Sequence, residues 1–222
     1  NYNGYQIAAG VTGPLVDDTL AFRLAANFND RDGYVSDRLV SSRELYDRNR
    51  ANVIGQLLWR PDEDVDVRLI LDYKHKDEHC CAADYDIAGP TAPAIEALGG
   101  IVKTDPFDYK AQQTYDSEDD LDEWGVSVET NWAIEEDLSL TWIGAYRNSD
   151  AFANVDADAS NLDLVKGTNW DQNNHFMSQE LRLNGVSGRV DWLVGAYYYT
   201  DEIDVDWQLL YGADFGAYFN EL

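Results

Sequence analysis

The chain of 222 residues is strongly acidic, since 42 Asp and Glu residues against 16 Lys and Arg residues leave a formal net charge of -26 at pH 7. This charge repels nucleic acid and excludes nucleic-acid binding. Hydrophobic residues at 45% and aromatic residues at 13%, recurring in short alternating runs, exclude a disordered chain. No apolar run reaches the roughly 18 residues of a membrane-spanning helix, so any membrane-spanning part must consist of strands.

The first segment predicts a β-hairpin. A strand over residues 5–12 leads into a turn at residues 13–18, and a second strand covers residues 19–29. The period of two in the second strand is typical of a strand with one apolar face. The residues on that face are Leu20, Phe22, Leu24, Ala26 and Phe28.

A polar loop over residues 31–48 separates this hairpin from a second one. Strands over residues 51–60 and 65–74 flank a tight turn at residues 61–64. The apolar residues that share a face in these two strands are Ala51, Val53, Gly55, Leu57, Trp59, Val65, Val67, Leu69, Leu71 and Tyr73.

Two further hairpins follow the longest predicted loop, residues 76–122. The third has strands over residues 124–132 and 138–146 around a turn at 135–137. After another polar loop, residues 150–174, the fourth has strands over 176–184 and 190–200 around a turn at 186–189. The last residues, 203–222, are predicted to form a loop.

These four hairpins predict an all-β fold, an antiparallel up-and-down meander of about eight transmembrane strands. Tilted strands of about 9 to 11 residues span a bilayer, and transmembrane barrels have short periplasmic turns and longer extracellular loops. We therefore expect the four long loops to lie outside the cell. The aromatic residues expected at the membrane interfaces are Trp59, Tyr73, Trp132, Trp170, Trp192 and Tyr198.

The second face of the predicted sheet is polar, as expected where strands line a wet or plugged lumen. A soluble β-sandwich produces a similar alternation, but its second face needs no such charges. The polar residues expected to face the lumen are Arg23, Gln56, Arg68, Asp72, Glu129, Glu180 and Arg182.

Four segments carry a family resemblance. Residues 13–24, with the sequence GPLVDDTLAFRL, and residues 31–34, RDGY, resemble an early barrel hairpin of TonB-dependent receptors. Residues 178–183, SQELRL, and 191–199, DWLVGAYYY, resemble a mid-barrel strand pair of that family. The segments occur in the same order and at similar separations, so the resemblance covers nearly the whole chain.

The resemblance implies that residues 1–222 are a partial barrel domain of a larger, 22-stranded barrel in the outer membrane of a Gram-negative bacterium. No export signal is visible in the residues from Asn1 onward, and we expect both ends of the protein, with the plug and the remaining strands, to lie outside these 222 residues. The implied partners are outer-membrane lipid and lipopolysaccharide, the TonB complex through the plug, and a small solute. No cofactor is implied.

The segment His75-Lys76-Asp77-Glu78-His79-Cys80-Cys81 combines imidazole, carboxylate and thiol groups, which are possible metal ligands. Its spacing matches no recognised metal site, so an ordinary extracellular loop is the preferred interpretation. The two cysteines bond to each other, bond outside this stretch, or stay free.

Three arginines could line a path for an anionic solute, namely Arg23, Arg68 and Arg182. Pairing with Asp72, Glu129 and Glu180 is the preferred alternative. An aromatic set could hold a ligand at the loop tips, although packing within the loops is the preferred interpretation. Its members are Trp170, Trp207, Tyr211, Phe215, Tyr218 and Phe219.

Nothing in the sequence predicts catalysis. Ser178 lies near Glu180 but has no placed histidine, because His175 is expected to end a strand. The leading hypothesis is a receptor and transporter for a scarce solute, such as siderophore-bound iron, a vitamin or a saccharide. The alternatives are a carbohydrate-binding β-domain and a small outer-membrane barrel hydrolase.

Overall fold

The structure is a computed structural model that describes residues 2–82 and 84–222. In chain order its elements are β1 (Gly4–Val16), β2 (Leu20–Arg31), β3 (Val35–Asp37), β4 (Glu44–Leu45), β5 (Arg48–Trp59), β6 (Val65–Glu78), α1 (Ala92–Ala97), β7 (Lys110–Ala111), β8 (Glu118–Glu135), β9 (Leu138–Val155), β10 (Val165–Ser187), β11 (Val190–Tyr211) and α2 (Phe215–Glu221). Neither helix of this described part is long and apolar enough to cross a membrane.

The eight long strands form one antiparallel sheet in the order β1-β2-β5-β6-β8-β9-β10-β11. Each of the eight long strands pairs with the long strand that follows it in the chain, so the sheet is an up-and-down meander. The predicted eight-stranded antiparallel meander is therefore confirmed. A small second sheet, β4-β3-β7, was not predicted, and it contains a parallel pair, β3 with β7.

The register places the predicted apolar residues on one face of the sheet, here called the apolar face. Residues directly opposite each other on antiparallel strands share a face. Phe22, Leu57, Leu69 and Val128 pair in this way across β2, β5, β6 and β8. The opposite side, here called the polar face, carries the seven charged and polar residues predicted for it.

Short turns connect the strands at one end of the sheet. They occupy residues 17–19, 60–64, 136–137 and 188–189. The first turn was predicted too early, because β1 continues through Pro14 to Val16; a proline is tolerated there since β1 is an edge strand. In the last turn Gly188 has a φ of 65°, which glycine adopts at no steric cost.

Several strands extend well beyond their predicted ends at the end of the sheet opposite the short turns, here called the upper end. Residues 118–122 belong to β8, residues 150–155 to β9, residues 165–174 to β10 and residues 203–211 to β11. The predicted loops over 76–122, 150–174 and 203–222 are therefore too long, and the last residues include helix α2. On the face that is apolar within the band, these extensions are polar except at Phe152 and Leu210. The apolar alternation that predicted the strands therefore does not continue on that face.

Aromatic side chains mark both limits of the apolar face along the strands, one toward the upper end and one toward the short turns. Trp124 and Trp132 lie eight residues apart on β8, which at about 3.3 Å per residue and a tilt of about 40° separates the two levels by about 20 Å. Trp59, Tyr73, Trp192 and Tyr198 also lie on this face, and their place at a membrane interface stays a prediction. Trp170 does not: it pairs with Trp207 on the opposite face, near the upper end of β10.

Candidate functional site

The segments beyond the upper strand ends pack into one layer, here called the cap, formed by residues 32–47, 79–82, 84–117, 156–164 and 212–222. Its core comprises two clusters, one around Val35 and Leu45 and one around Ile95 and Leu164. Among the described residues, every buried hydrophobic side chain lies in the cap. The cap is therefore a folded unit rather than a set of open loops.

Two arginines bind the cap segments together. Arg38 donates two hydrogen bonds of 2.8 Å to Asp84, whose side chain is fully buried, and a further one to Asp108. Arg43 donates to Asp37 at 2.7 Å and to the carbonyl of Gln113 at 2.9 Å. Because each arginine bridges segments distant in sequence, these pairs could not be predicted from local patterns.

The carboxylates of Asp156 and Asp158 anchor the junction between β9 and β10. Asp156 accepts hydrogen bonds from the backbone N–H groups of Thr114 and Tyr115, at 2.7 and 3.2 Å. Asp158 accepts from the backbone N–H groups of Leu164 and Val165, at 3.1 and 2.9 Å. Burial, followed by repulsion from Asp158, raises the pKa of Asp156 to about 6.

We expect the cap to be more stable at acidic pH because of Asp156. Its folded-state pKa of about 6 exceeds the ordinary value of 3.8, so its contribution is complete below 3.8 and is lost as the pH rises through 6. Hydrogen exchange at the amides of Thr114 and Tyr115, corrected for intrinsic rates, should slow about tenfold between about pH 7.5 and about pH 5. Asp156→Asn should remove this difference, and an equal difference in both proteins would contradict it.

On the polar face, an ion-pair cluster that the sequence did not single out joins three strands. Arg147 on β9 donates two hydrogen bonds of 2.8 Å to Asp72 on β6 and one of 2.7 Å to Glu123 on β8. A shallow groove of about 560 Å³ lies beside it, lined in part by Arg23, Lys74 and small residues of β1 and β2. This cluster can be recognised only when the pairing register of β6, β8 and β9 is known, because that register brings the three side chains together.

The three arginines predicted for a solute path have different surroundings. Arg182 forms an ion pair with Glu180, and Arg68 lies 3.9 Å from Glu129, in agreement with the pairing alternative. Asp72 pairs with Arg147 instead of with one of the three. Arg23 forms no ion pair among residues 2–82 and 84–222.

The aromatic set predicted for loop tips is divided between strands and a helix. Trp170, Trp207 and Tyr211 belong to β10 and β11, and the other three members lie on α2. Tyr211 packs against Phe215 with ring centroids 4.1 Å apart. Tyr218 packs against the Ile95 cluster. Packing accounts for Phe215 and Tyr218, whereas Trp170, Trp207, Tyr211 and Phe219 remain exposed.

The His75–Cys81 segment does not converge on a metal. His75 contacts Asp122 at 2.9 Å, His79 contacts Asp47 at 3.2 Å, and Cys80 is disulfide-bonded to Cys81. In the described part of the chain, no three His, Cys, Asp or Glu side chains are placed to hold a metal ion. The disulfide selects one of the three alternatives left open by the sequence.

Ser178 and His175 cannot act together, because they lie on opposite faces of β10. Ser178 pairs with Ala145 on the polar face, and His175 pairs with Asn148 on the other. The hydroxyl of Tyr146 lies 3.2 Å from Nδ1 of His175. His175 does not end a strand, since β10 continues ten residues before it.

The sheet is an antiparallel meander with one apolar face, which aromatic rows bound, and one polar face. A folded cap lies at one end of it. This combination is typical of a section of β-barrel wall. No known protein-family profile matches the chain.

Several solved structures of receptors resemble the chain. The ferric yersiniabactin uptake receptor FyuA from Yersinia pestis superposes with a TM-score of 0.71 at 14% identity, over 93% of this chain and 30% of that protein. The ferripyoverdine receptor of the outer membrane of Pseudomonas aeruginosa superposes with a TM-score of 0.65 at 12% identity, over 92% and 27%. The ferric-catecholate import receptor Fiu from E. coli gives 0.63 at 12% identity, over 90% and 31%.

The chain thus spans about 30% of the length of the receptors it resembles. The resemblance to the barrel of TonB-dependent receptors, predicted from four sequence segments, is confirmed at the level of the fold. Because the identities are low, the similarity defines the architecture of the chain and leaves its solute open.

Proposed function

We propose that residues 1–222 are a partial barrel domain of an outer-membrane receptor that imports a scarce solute with energy delivered by TonB. The observation that carries this proposal is the combination of a barrel-wall fold with an aromatic-bounded apolar band and a folded cap at one end only. The band of about 20 Å is close to the height of the lipid-facing band of outer-membrane barrels. In this proposal the remaining strands complete a 22-stranded barrel.

The polar face supports the lumen role. Arg147, Asp72 and Glu123 form their cluster on this face, where charges are tolerated because the lumen is wet or filled by protein. A plug folded inside the barrel would cover the groove beside this cluster and would carry the contact with TonB. Lipid and lipopolysaccharide would surround the apolar face.

The solute class is proposed by analogy of fold. The three receptors described above are named for ferric siderophore ligands, so a ferric siderophore is the first solute to test, before a vitamin or a saccharide. The opposite placement of Ser178 and His175 gives the hydrolase alternative no support. An apolar band that faces outward also disfavours a soluble carbohydrate-binding domain.

Uptake by whole cells tests this function. We expect cells that produce the full-length protein to accumulate radioactive iron supplied as ferric catecholate, ferric hydroxamate or ferric pyoverdine complexes, at least about tenfold above cells without it. The accumulation should disappear in an otherwise identical strain that lacks TonB. Uptake that persists without TonB would contradict energised import, and no uptake of any iron complex would move the search to vitamins and saccharides.

A further inference from the structure

The disulfide between Cys80 and Cys81 joins two adjacent residues at the point where β6 passes into the cap. In the chain-entropy account, a disulfide stabilises a protein because it restricts the unfolded chain, and this contribution falls as the closed loop shortens. The loop closed here is the shortest possible, since the two cysteines are neighbours in sequence. The bond therefore fixes the local path of the backbone and does little to hold distant segments together.

Tyr46 holds the chain on both sides of this disulfide. Its backbone N–H donates to the carbonyl of His79 at 2.7 Å, and its hydroxyl donates to the carbonyl of Ala82 at 2.8 Å. The neighbouring Asp47 accepts a hydrogen bond of 2.6 Å from the backbone N–H of His79. The residues that flank the disulfide are thus tied to one short segment of the cap.

The chain that follows the disulfide enters the core of the cap. Ala82 is buried and packs in the first cluster, that of Val35 and Leu45. The ring of Tyr46 packs against the same cluster and stacks on Tyr34, with ring centroids 5.2 Å apart. The position of Ala82 therefore decides whether this cluster and the hydrogen bond of the Tyr46 hydroxyl can form together.

Two residues of this arrangement have a left-handed backbone, which is unfavourable for residues other than glycine. Tyr46 has a φ of 63° and Cys81 has a φ of 69°. Such conformations persist only where the surrounding structure enforces them. At Cys81 the covalent ring with Cys80 and the anchored carbonyl of Ala82 supply this constraint. Breaking the ring removes the covalent part of it.

We propose that the disulfide between Cys80 and Cys81 is a site of thiol–disulfide exchange that acts as a latch on the cap, opened by a dithiol and closed by re-oxidation. Cys81 is exposed, whereas Cys80 is nearly buried, so an incoming thiolate reaches Sγ of Cys81 first. The contacts of Tyr46 on both sides of the bond then transmit its breakage to the first cluster.

The exchange is a balanced transfer of two electrons and two protons. One thiolate of the dithiol bonds to Sγ of Cys81, and Sγ of Cys80 leaves with the electron pair of the S–S bond and takes up a proton. The second thiol of the dithiol, as thiolate, then displaces Sγ of Cys81, which is protonated in turn. The dithiol is oxidised to a disulfide, and both cysteines are reduced.

Opening the latch lets Cys81 return to an ordinary backbone conformation, which moves the carbonyl of Ala82 away from the hydroxyl of Tyr46. The first cluster then loosens, whereas the second cluster, around Ile95, is formed by other residues. On the proposed function the cap lies above the lumen, so an external thiol alters the entrance of the barrel. The latch itself depends only on contacts within the cap and at its junction with β6.

The test is hydrogen exchange of the full-length protein in detergent, with and without dithiothreitol, with alkylation to show that both cysteines have become free. Reduction should speed exchange at the amides of Tyr46 and His79 about tenfold, because both N–H groups are held by the latched path of the chain. The amide of Leu98, which donates to the carbonyl of Ile95 in the second cluster, should exchange at an unchanged rate. Re-oxidation should restore the slow rates.

Two variants separate the latch from a general effect of the reductant. Cys80→Ser combined with Cys81→Ser cannot form the bond, so it should exchange at the fast rate whether or not dithiothreitol is present. Tyr46→Phe should narrow the difference between the oxidised and reduced rates at His79, because its contact with the carbonyl of Ala82 is already lost. Tyr109→Phe, the same change at an exposed tyrosine of the cap, is the matched control and should leave that difference intact.

The proposal is overturned if dithiothreitol leaves the bond intact in the folded protein. It is also overturned if both cysteines become free while exchange at Tyr46 and His79 is unchanged. Equal acceleration at Leu98 overturns it as well, since the bond then stabilises the whole cap and not the first cluster. Reduction of the wild-type protein decides the question even if the serine variant fails to assemble.

Discussion

Arginine in place of Val128 is expected to cost the full-length protein about 2–4 kcal/mol of unfolding free energy in lipid vesicles. Val128 lies midway between Trp124 and Trp132 on β8, and it pairs with Leu69 on the apolar face. If that face meets lipid, this position is near the midplane of the bilayer, where an arginine loses its hydration. The measurement is reversible denaturant unfolding of the protein folded into vesicles.

The adjacent residue provides a matched control. Ser127 precedes Val128 on the same strand but lies on the polar face, where it pairs with Ile70 and Ala145. Ser127→Arg should cost about 1 kcal/mol or less, because a lumen-facing arginine stays hydrated or pairs with nearby carboxylates. Equal costs for the two arginines would show that the apolar face does not meet lipid.

An impermeant thiol reagent applied to intact cells should label Phe107→Cys and leave Asp137→Cys unlabelled. Phe107 is 81% exposed in the cap, and Asp137 lies in the two-residue turn between β8 and β9 at the other end of the sheet. Short turns of outer-membrane barrels face the periplasm and long loops face outward. The native cysteines do not compete for the reagent, since Cys80 and Cys81 are joined in a disulfide.

Permeabilised cells serve as the control, and both variants should then react equally. Labelling of Asp137→Cys alone in intact cells would reverse the orientation of the barrel. The cap would then lie in the periplasm, and the exposed Trp170 and Trp207, near the cap on β10 and β11, would lose the role of first contact with a solute.

Within the apolar band, the sequence determined the strands because burial and lipid contact impose a period of two. From Leu20 to Phe28 and from Val65 to Tyr73, apolar residues occupy alternate positions, and each predicted face agrees with the observed register. The short turns were predicted for a similar local reason: proline, glycine and acidic residues there favour tight turns. Four hairpins were then sufficient to indicate the meander.

The strand extensions could not be predicted, because the alternation changes once a strand leaves the band. On β11 the apolar residues shift from the face of Val194 and Tyr198 to the opposite face, that of Val205 and Trp207. On β8, residues 118–122 are polar on nearly every position, so they resemble a loop. Both segments are strands because their neighbours supply hydrogen-bond partners, which a single strand's sequence does not record.

By itself, the sequence determined the all-β class, the eight strands, the two faces and the family resemblance, since each is encoded by neighbours in the chain. Only the tertiary structure decided the cap, the cluster of Arg147 with Asp72 and Glu123, and the packing of Asn154 against Gly167. Asp72 and Arg147 are 75 positions apart, and Asn154 reaches Asp116 across 38. Such contacts depend on the register of non-adjacent segments, which is fixed only when the whole sheet has formed.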